Sequence, residues 1–457
     1  MNAFASSTSS IAIDLSTGPA LSAVIIPFRK AESRAEPEPV IEAAEPEIEA
    51  VEIVAGNDNS QDSEDEPESI AAPIQVAFVP HNALIERAPL ARAFEIVHEA
   101  VETRNHIPIL GNARMVADGN NINIIGTDLD IEIVASIPAA IDQGFDVTLP
   151  AKRMKDLLKG APKADYVSFE DRDGFVRTDF EKIHYDLHSL PASDFPTLAA
   201  PADAATFRLP GLDLLLALEA VAGAISTEET RYYLNGIFIH VYDTGDRQEL
   251  RLAATDGHRL YLQKLAMPAI DGGFAHGVIL PRNAVATLMK LMKGKKCPEH
   301  VEIELAETKS RYVFEFEFGT ITVTTKHIDG TFPDYARVMP SYANYPAARF
   351  DVDVMSEAIK ACSLISSERG RAFKLSVSTE GAALDVRNPD SGSAHADVAC
   401  EWLSDAVAIG FNAGYMLDAL KVAGDGKASI HICDSGSPVT VIGAREGWLA
   451  VLMPMRV

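Results

Sequence analysis

Beyond residue 75, the apolar positions of this chain fall into two rhythms. Over "PLARAFEIVHEAVETR", Leu90, Phe94, Val97 and Val101 recur at helical spacing on one stripe. Pro89 stands at the start of that stretch, where a helix does not use the N–H. "GLDLLLALEAVAGAIS" and "VMSEAIKACSLISS" carry the same rhythm. "VEIELAETKSRYVFEFEFGTITVTTK" instead alternates apolar and polar residues, as half-buried antiparallel strands do. A further set runs from a short apolar strand into a helix: "VTLPAKRMKDLLKG" from Val147, "VILPRNAVATLMKLMKG" from Val278 and "IGFNAGYMLDALKVAG" from Ile409. Leu149, Leu280 and Phe411 are the matching positions, each 131 residues from the next.

The pattern is one plan written three times. In each copy a basic turn follows the first helix: Arg104, then Arg231, then Arg369 and Arg371. A strand comes next ("ILGNARMVAD", "YLNGIFIHVYD", "FKLSVSTEG"), and a hairpin brings back a second one ("INIIGTDLDIEIVASI", "LRLAATDGHRLYLQKL", "AALDVRNPDSGSAHADVA"). Thr127-Asp128 and Thr255-Asp256 occupy the same place in copies one and two. Each copy is therefore expected to be a two-helix, antiparallel-sheet domain of the α+β class. The expected domains are 75–204, 205–335 and 336–457, joined by the proline-rich "LPASDFPTLAAPADAAT" and "DGTFPDYARVMPSYANYP".

Residues 1–74 break the plan. They are rich in Glu, Pro, Ser and Ala, and their like charges repel, so disorder is expected, as a solvating tail or as a partner-binding arm. The net charge is −26, and residues 1–75 hold 15 acids against three bases. The body stays acidic, so any nucleic-acid role needs its cations gathered on one face. Lys152, Lys155 and Lys159 form such a stripe opposite Met154, Leu157 and Leu158. Arg282, Lys290, Lys293, Lys295 and Lys296 load the matching helix of copy two, and Lys421 stands alone in copy three. A solvated helix face is the bland alternative.

Four scattered cysteines without a CxxC pair argue against a disulfide framework or a zinc site and suit a reducing cytosol. No apolar run approaches the roughly 20 residues that span a bilayer, and a secretory signal is not expected. "AATDGHRLYL" sets Asp256 and His258 two apart, on one side of a strand if it is a strand. Its recurrence weighs against a catalytic pair, as does the absence of a nucleophile elbow, HExxH motif, P-loop or dinucleotide fingerprint.

At this point the chain resembles the bacterial DNA polymerase III beta subunit, the sliding clamp. The carrying segments are "IPILGNARMVADGNNINIIGTDLDIEIVA", "LHSLPASDFPTL", "RYYLNGIFI", "AATDGHRL", "VILPRNAVATLMKLM", "DGTFPDYARVMP", "GFNAGYMLDAL" and "VLMPMRV", in family order over about 380 residues. The resemblance implies a DNA clamp fold and a head-to-tail homodimer whose six domains form a ring around double-stranded DNA, without base readout. It implies a cytoplasmic processivity factor that does no chemistry and needs no cofactor. Its partners would be the DNA polymerase III alpha subunit, a clamp loader, and other polymerases and repair proteins that dock short peptides. The chain has no Walker motif, so a separate ATPase would open the ring. Arg104, Arg231, Tyr232 and Tyr233 would sit near DNA, with acidic Glu228 beside them.

The resemblance also implies a peptide pocket between copies two and three. Its residues here are Leu234, Thr255, Gly257, His258, Arg259, Leu260, Pro333, Arg337, Val338, Asn412, Tyr415, Val451, Met453, Pro454, Met455 and Arg456. Leu, Val, Pro and Met suit an apolar cleft, with Met adapting to varied ligands. Arg259 and Arg337 would bond peptide carbonyls or attract an acidic partner. Gly370, where relatives carry an aromatic, and Gly436 with Pro438 at the rim depart from the pattern, which leaves open a specialised clamp paralogue or interaction scaffold with altered partner choice.

Overall fold

The computed structural model describes residues 82–101, 106–162, 164–272, 277–294, 297–366 and 372–456. The acidic segment 1–74 and Arg104, Lys295, Lys296, Arg369, Gly370 and Arg371 lie outside them.

Copy one runs β1 (Ala83–Glu86), α1 (Arg87–Val97), β2 (Asn112–Asp118), β3 (Asn121–Thr127), β4 (Ile131–Pro138), β5 (Ala140–Ile141), β6 (Asp146–Pro150), α2 (Ala151–Gly160), β7 (Tyr166–Arg172), β8 (Phe175–Phe180) and β9 (Ile183–His188). Copy two runs β10 (Ala205–Pro210), α3 (Gly211–Ala222), β11 (Gly236–Asp243), β12 (Gln248–Thr255), β13 (Arg259–Ala266), β14 (Val278–Pro281), α4 (Arg282–Met292), β15 (His300–Leu305), β16 (Lys309–Phe316) and β17 (Gly319–Lys326). Copy three repeats it with β18 (Ala347–Asp351), α5 (Val352–Ser363), β19 (Ala372–Ser378), β20 (Gly381–Asn388), β21 (Gly392–Val398), β22 (Val407–Asn412), α6 (Ala413–Ala423), β23 (Lys427–His431), β24 (Val439–Ile442) and β25 (Trp448–Leu452).

One expectation needs correction. The single strand expected after each hairpin is two strands, because a tight polar turn divides the stretch at residues 128–130, 256–258 and 389–391. The helix stripes hold in part: Leu90, Phe94 and Val97 are fully buried on α1, whereas Val101 is buried but lies past the end of that helix, and on α2 Met154 and Leu158 are buried while Leu157 is half-buried. In each copy the two helices pack against each other and the first also packs on the sheet. Asp351 caps α5 by accepting from the N–H groups of Asp353 and Val354, and Asn412 caps α6 by accepting from that of Tyr415.

The described strands make four antiparallel sheets, in the orders β5-β1-β7-β8-β9, β10-β15-β16-β17-β4-β3-β2-β6, β14-β11-β12-β13-β25-β24-β23-β18 and β21-β20-β19-β22. The two eight-stranded sheets each cross a junction between copies. At the first junction β17 pairs with β4, setting Val323 opposite Ile133. At the second, β25 pairs with β13, setting Ala450 opposite Tyr261. In each case the last strand of one copy joins the fourth strand of the copy before it. Trp448 reinforces the second junction: its buried indole N–H donates to the Ala220 carbonyl at 3.0 Å. β9 and β21, the counterparts of the joining strands, each lie at the edge of a smaller sheet. Among the described residues no helix is long and apolar enough to cross a membrane.

Candidate partner-binding cleft and basic helix faces

The Asp256/His258 stretch is a turn between β12 and β13. Thr255 Oγ1 donates to the Arg259 carbonyl at 2.6 Å and accepts from the Gly257 N–H at 3.1 Å. Asp256 Oδ1 accepts from the N–H groups of His258 and Arg259 at 2.9 and 3.0 Å. Copy one builds the same turn with Thr127 and Asp128, at 2.9 and 3.0 Å for the threonine and 2.9 and 2.8 Å for the aspartate. Gly257 sits at φ 90° and its counterpart Leu129 at φ 79°. Glycine has a second use here, because a Cβ at 257 would lie 2.7 Å from Arg231 Nη1. Asp256 is thus consumed by the backbone, and His258 stacks on Tyr415 with ring centroids 6.2 Å apart. The same-face strand geometry considered for a catalytic pair is absent, since neither residue is in a strand. Asp256→Ala is expected to cost about 1–2 kcal/mol, because it strands two backbone donors. Asp128→Ala should do the same, and an unchanged thermal midpoint in either variant would refute this account.

The turn abuts the segment that follows β25. Past β25, the Met453 N–H donates to the His258 carbonyl at 3.0 Å and the Met455 N–H to the Gly410 carbonyl at 2.8 Å. The terminal segment is therefore fastened to copy two on one side and to β22 of copy three on the other. Beneath it lies a separate apolar cluster of buried Leu234, Leu260, Val451, Phe332 and Tyr335, with Ala253, Leu262, Ile279 and Leu449. Met453 at 45% and Met455 at 36% exposure leave apolar surface open to solvent, as does Val338 at 56%. Pro333 is exposed and Pro454 half-buried, while Arg456 is exposed. Asn412 and the half-buried Tyr415 bring α6 to the same place through the α6 cap.

The arginines differ from expectation. Arg259 is already committed: it donates to Asp256 Oδ2 at 3.1 Å and to Asp418 Oδ2 at 2.6 Å, with its guanidinium 4.5 Å from the Tyr415 ring centre. Burial opposes its charge, but the Asp418 hydrogen bond and Asp256 hold its pKa above the ordinary guanidinium value. It braces copy two against copy three and is not a free ligand for a peptide. Arg337 remains largely exposed, in an ion pair with Asp334 at 2.9 Å. At the rim, Val439 pairs with Leu452, so Pro438 stands beside the strand end that carries Met453. Gly436 lies in a turn whose N–H groups bond Asp434 Oδ1. The sequence reading missed Phe332, Tyr335 and Asp418. Two aromatics in a polar, proline-rich joint were the available signal for the first two.

The basic helix faces are reduced by the structure. Lys152 and Lys159 on α2 are exposed and Lys155 is half-buried, its Nζ 3.5 Å from His98 Nδ1. Burial, then Lys155, lowers the pKa of His98 below the ordinary histidine value. Arg282 is exposed at the start of α4. Lys290 pairs with Glu99 at 2.7 Å, across the first junction, and Lys293 with Glu219 at 3.1 Å. Arg231 is held by Glu228 at 2.9 Å. Tyr232 is 54% exposed, but Tyr233 packs against the apolar cluster of the cleft. The stripe on α2 is therefore the strongest of the expected cationic faces: Lys290 and Lys293 are paired with acids that their spacing does not reveal, and Arg231 is paired with the Glu228 expected beside it.

Three equivalent units, joined edge to edge through shared antiparallel sheets, define the class: an α+β protein of the clamp fold. Family models for the N-terminal, central and C-terminal domains of the DNA polymerase III beta subunit match residues 82–199, 209–334 and 336–456. The beta sliding clamp of Caulobacter vibrioides is 37% identical over 377 residues, which is 82% of this chain and 99% of that protein. That of Escherichia coli K12 is 31% identical over 377 residues, 81% of this chain and 99% of that protein. Among solved structures, a Bartonella birtlesii sliding clamp bound to griselimycin superposes with a TM-score of 0.76 at 35% identity, covering 83% of this chain and all of that one. A Caulobacter crescentus pol III beta structure gives 0.75 at 36%, covering 82% and 100%. The chain belongs to the DNA polymerase III beta subunit family, the beta sliding clamps. It is accordingly a non-catalytic processivity subunit of DNA replication.

Proposed function

We propose that two copies of this chain close head to tail into a ring around duplex DNA, with the three domains taken as 75–204, 205–335 and 336–457. The carrying observation is the pair of open edges. Each junction within the chain joins a last strand to the fourth strand of the preceding copy, and a chain by itself leaves β9 and β21 without such partners. A second copy satisfies both edges at once, and a heterologous contact that closes makes a ring. Lys152, Lys155 and Lys159, with Arg282 and the exposed Tyr232, are the groups proposed to meet phosphates in the hole. Such contacts carry no base information, as a sliding protein requires.

The cleft between copies two and three is proposed to take short peptides from the polymerase III alpha subunit, the clamp loader and other polymerases or repair proteins. Leu234, Leu260, Val338, Val451, Met453 and Met455 would hold the apolar residues of such a peptide. Arg337 and Arg456 are the cations left accessible to an acidic flank. Light scattering on the full chain is the test: a mass near twice 49.2 kDa is expected, and a monomer at micromolar concentration would refute the ring.

A further inference from the structure

The ladders inside one chain fix how two chains must align. Four residues before the first helix of each copy stand Ala83, Phe207 and Ala348. Following strand partners from them gives Ala83–Phe169–Thr178–Tyr185, Phe207–Ile303–Tyr312–Val323 and Ala348–Ile430–Val441–Ala450. Tyr185 is thus the counterpart of Val323 and Ala450, and Ile183 that of Ile321 and Trp448. From the other side the rows are Val147–Met115–Ile124–Ala135, Val278–Ile239–Leu252–Gln263 and Ile409–Leu375–Leu384–Ala396. Ala135 pairs with Ile321 and Gln263 with Trp448. The same rule sets Ala396 opposite Ile183.

Building on the ring reading, we infer that β9 of one protomer pairs with β21 of its partner in the register Ile183 to Ala396, Tyr185 to Ala394 and Leu187 to Gly392, which sets His184 against His395 and makes ring closure proton-sensitive. The side-chain pattern agrees. On one face lie Ile183, Tyr185 and Leu187 against two alanines; on the other all residues are polar. Asp397 falls opposite Lys182. Arg387, Ser393, Asp186 and Arg177 make one row across four strands, and Asp385, His395, His184 and Asp179 make the next.

In that second row two imidazoles meet, each backed by a carboxylate. His395 contacts Asp385 Oδ1 at 2.9 Å through Nδ1 and Asp397 Oδ1 at 3.2 Å through Nε2. Hydrogen bonds to these two carboxylates raise the pKa of His395 above the ordinary histidine value. The other charges facing the pair are Asp385, Asp397 and Arg387, with Lys374 beyond them on β19, and on the partner side Arg177, Asp179, Lys182 and Asp186, with His188 further along β9. Four carboxylates meet four permanent cations, so they offset one another. Once His395 holds its proton, a second on His184 puts like charges directly opposite, which is unfavourable in a strand pair. Closure is therefore disfavoured when both imidazoles of the pair are protonated. The dimer is accordingly stable above the histidine range and weakens as pH falls through it.

The test uses the full chain and two readouts. Oxidation of the double variant Asp186→Cys with Ser393→Cys is expected to give a covalent dimer, because directly opposed strand positions lie within disulfide reach. The shifted pair Asp186→Cys with His395→Cys should not cross-link, and neither should the unaltered chain. Separately, the dimer is expected to weaken roughly tenfold between about pH 8 and about pH 5.5, with one such histidine pair at each of two junctions. His184→Asn should keep the dimer at the higher pH and remove the acid dependence. Cross-linking of the shifted pair alone would overturn the register. Acid-insensitive dimerisation of the unaltered chain would overturn the proton coupling. A monomer at about pH 8 would instead overturn the ring itself.

Discussion

Leu364→Lys is expected to turn the full chain from a dimer into a monomer. The residue sits just past α5, is 87% exposed, and is apolar where exposure gains nothing. Its counterpart explains it. Glu99 lies twelve residues from the start of α1, as Leu364 lies twelve from the start of α5, and Glu99 reaches α4 of the next copy through Lys290. Lys159 on α2 matches Lys290 in the repeat. In a ring, Leu364 therefore meets the partner's α2, near Leu157 and the aliphatic stem of Lys159. Burying a leucine is worth about 1.5–3 kcal/mol, and a closed ring does so at both junctions. The substituted lysine forfeits that and faces another lysine, so dimer affinity should fall at least about 100-fold. A mass still near twice 49.2 kDa at micromolar concentration would refute this placement.

Deleting Met453 to Val457 is expected to abolish peptide docking while leaving the dimer intact. The cut leaves β25, the second junction and Trp448 in place, because β25 ends at Leu452. It removes the two methionines that carry exposed apolar surface over the cluster of Leu234, Leu260 and Val451. Fluorescence anisotropy with a labelled Gln-x-x-Leu-Phe peptide should show affinity lower by about 100-fold, a loss of roughly 2.7 kcal/mol. Met455→Ala should give a smaller loss in the same direction, and light scattering checks the dimer. Undiminished peptide binding by the truncated dimer would place the docking surface elsewhere.

How far the sequence carried this picture depends on what each residue's neighbours were. The helix stripes and the threefold plan were legible because core-facing periodicity is a local property: Leu90, Phe94 and Val97 are buried because of where they recur. The Thr-Asp turn was legible as a repeated position, and the five polar or glycine residues from Thr255 to Arg259 were the signal that it separates two strands, although the stretch reads as one returning strand when only its apolar ends are followed. Charge was read least well. Spacing gave Lys290 and Lys293 as free cations, yet their acids, Glu99 and Glu219, lie 191 and 74 residues away in the sequence. Arg259 reads from the resemblance as a peptide-binding arginine, since Asp418 approaches it only through the fold. The cleft's outline followed from the family resemblance, whereas Phe332 and Tyr335 beneath it emerged only from packing.

The two strand junctions inside the chain have a consequence for the geometry of the whole assembly. If every link between neighbouring units follows the same rule, each contributes a fixed share of one full revolution. A small angular error introduced at β17–β4 or β13–β25 occurs once per chain and twice per circuit, so it accumulates toward the seam. A substitution that tilts the Trp448 strand, far from β9 and β21, would then spring the seam or let chains add without end as a helical filament. Curvature is thus a quantity that the buried junctions must hold constant, and tolerance to mutation there is limited by closure as much as by stability.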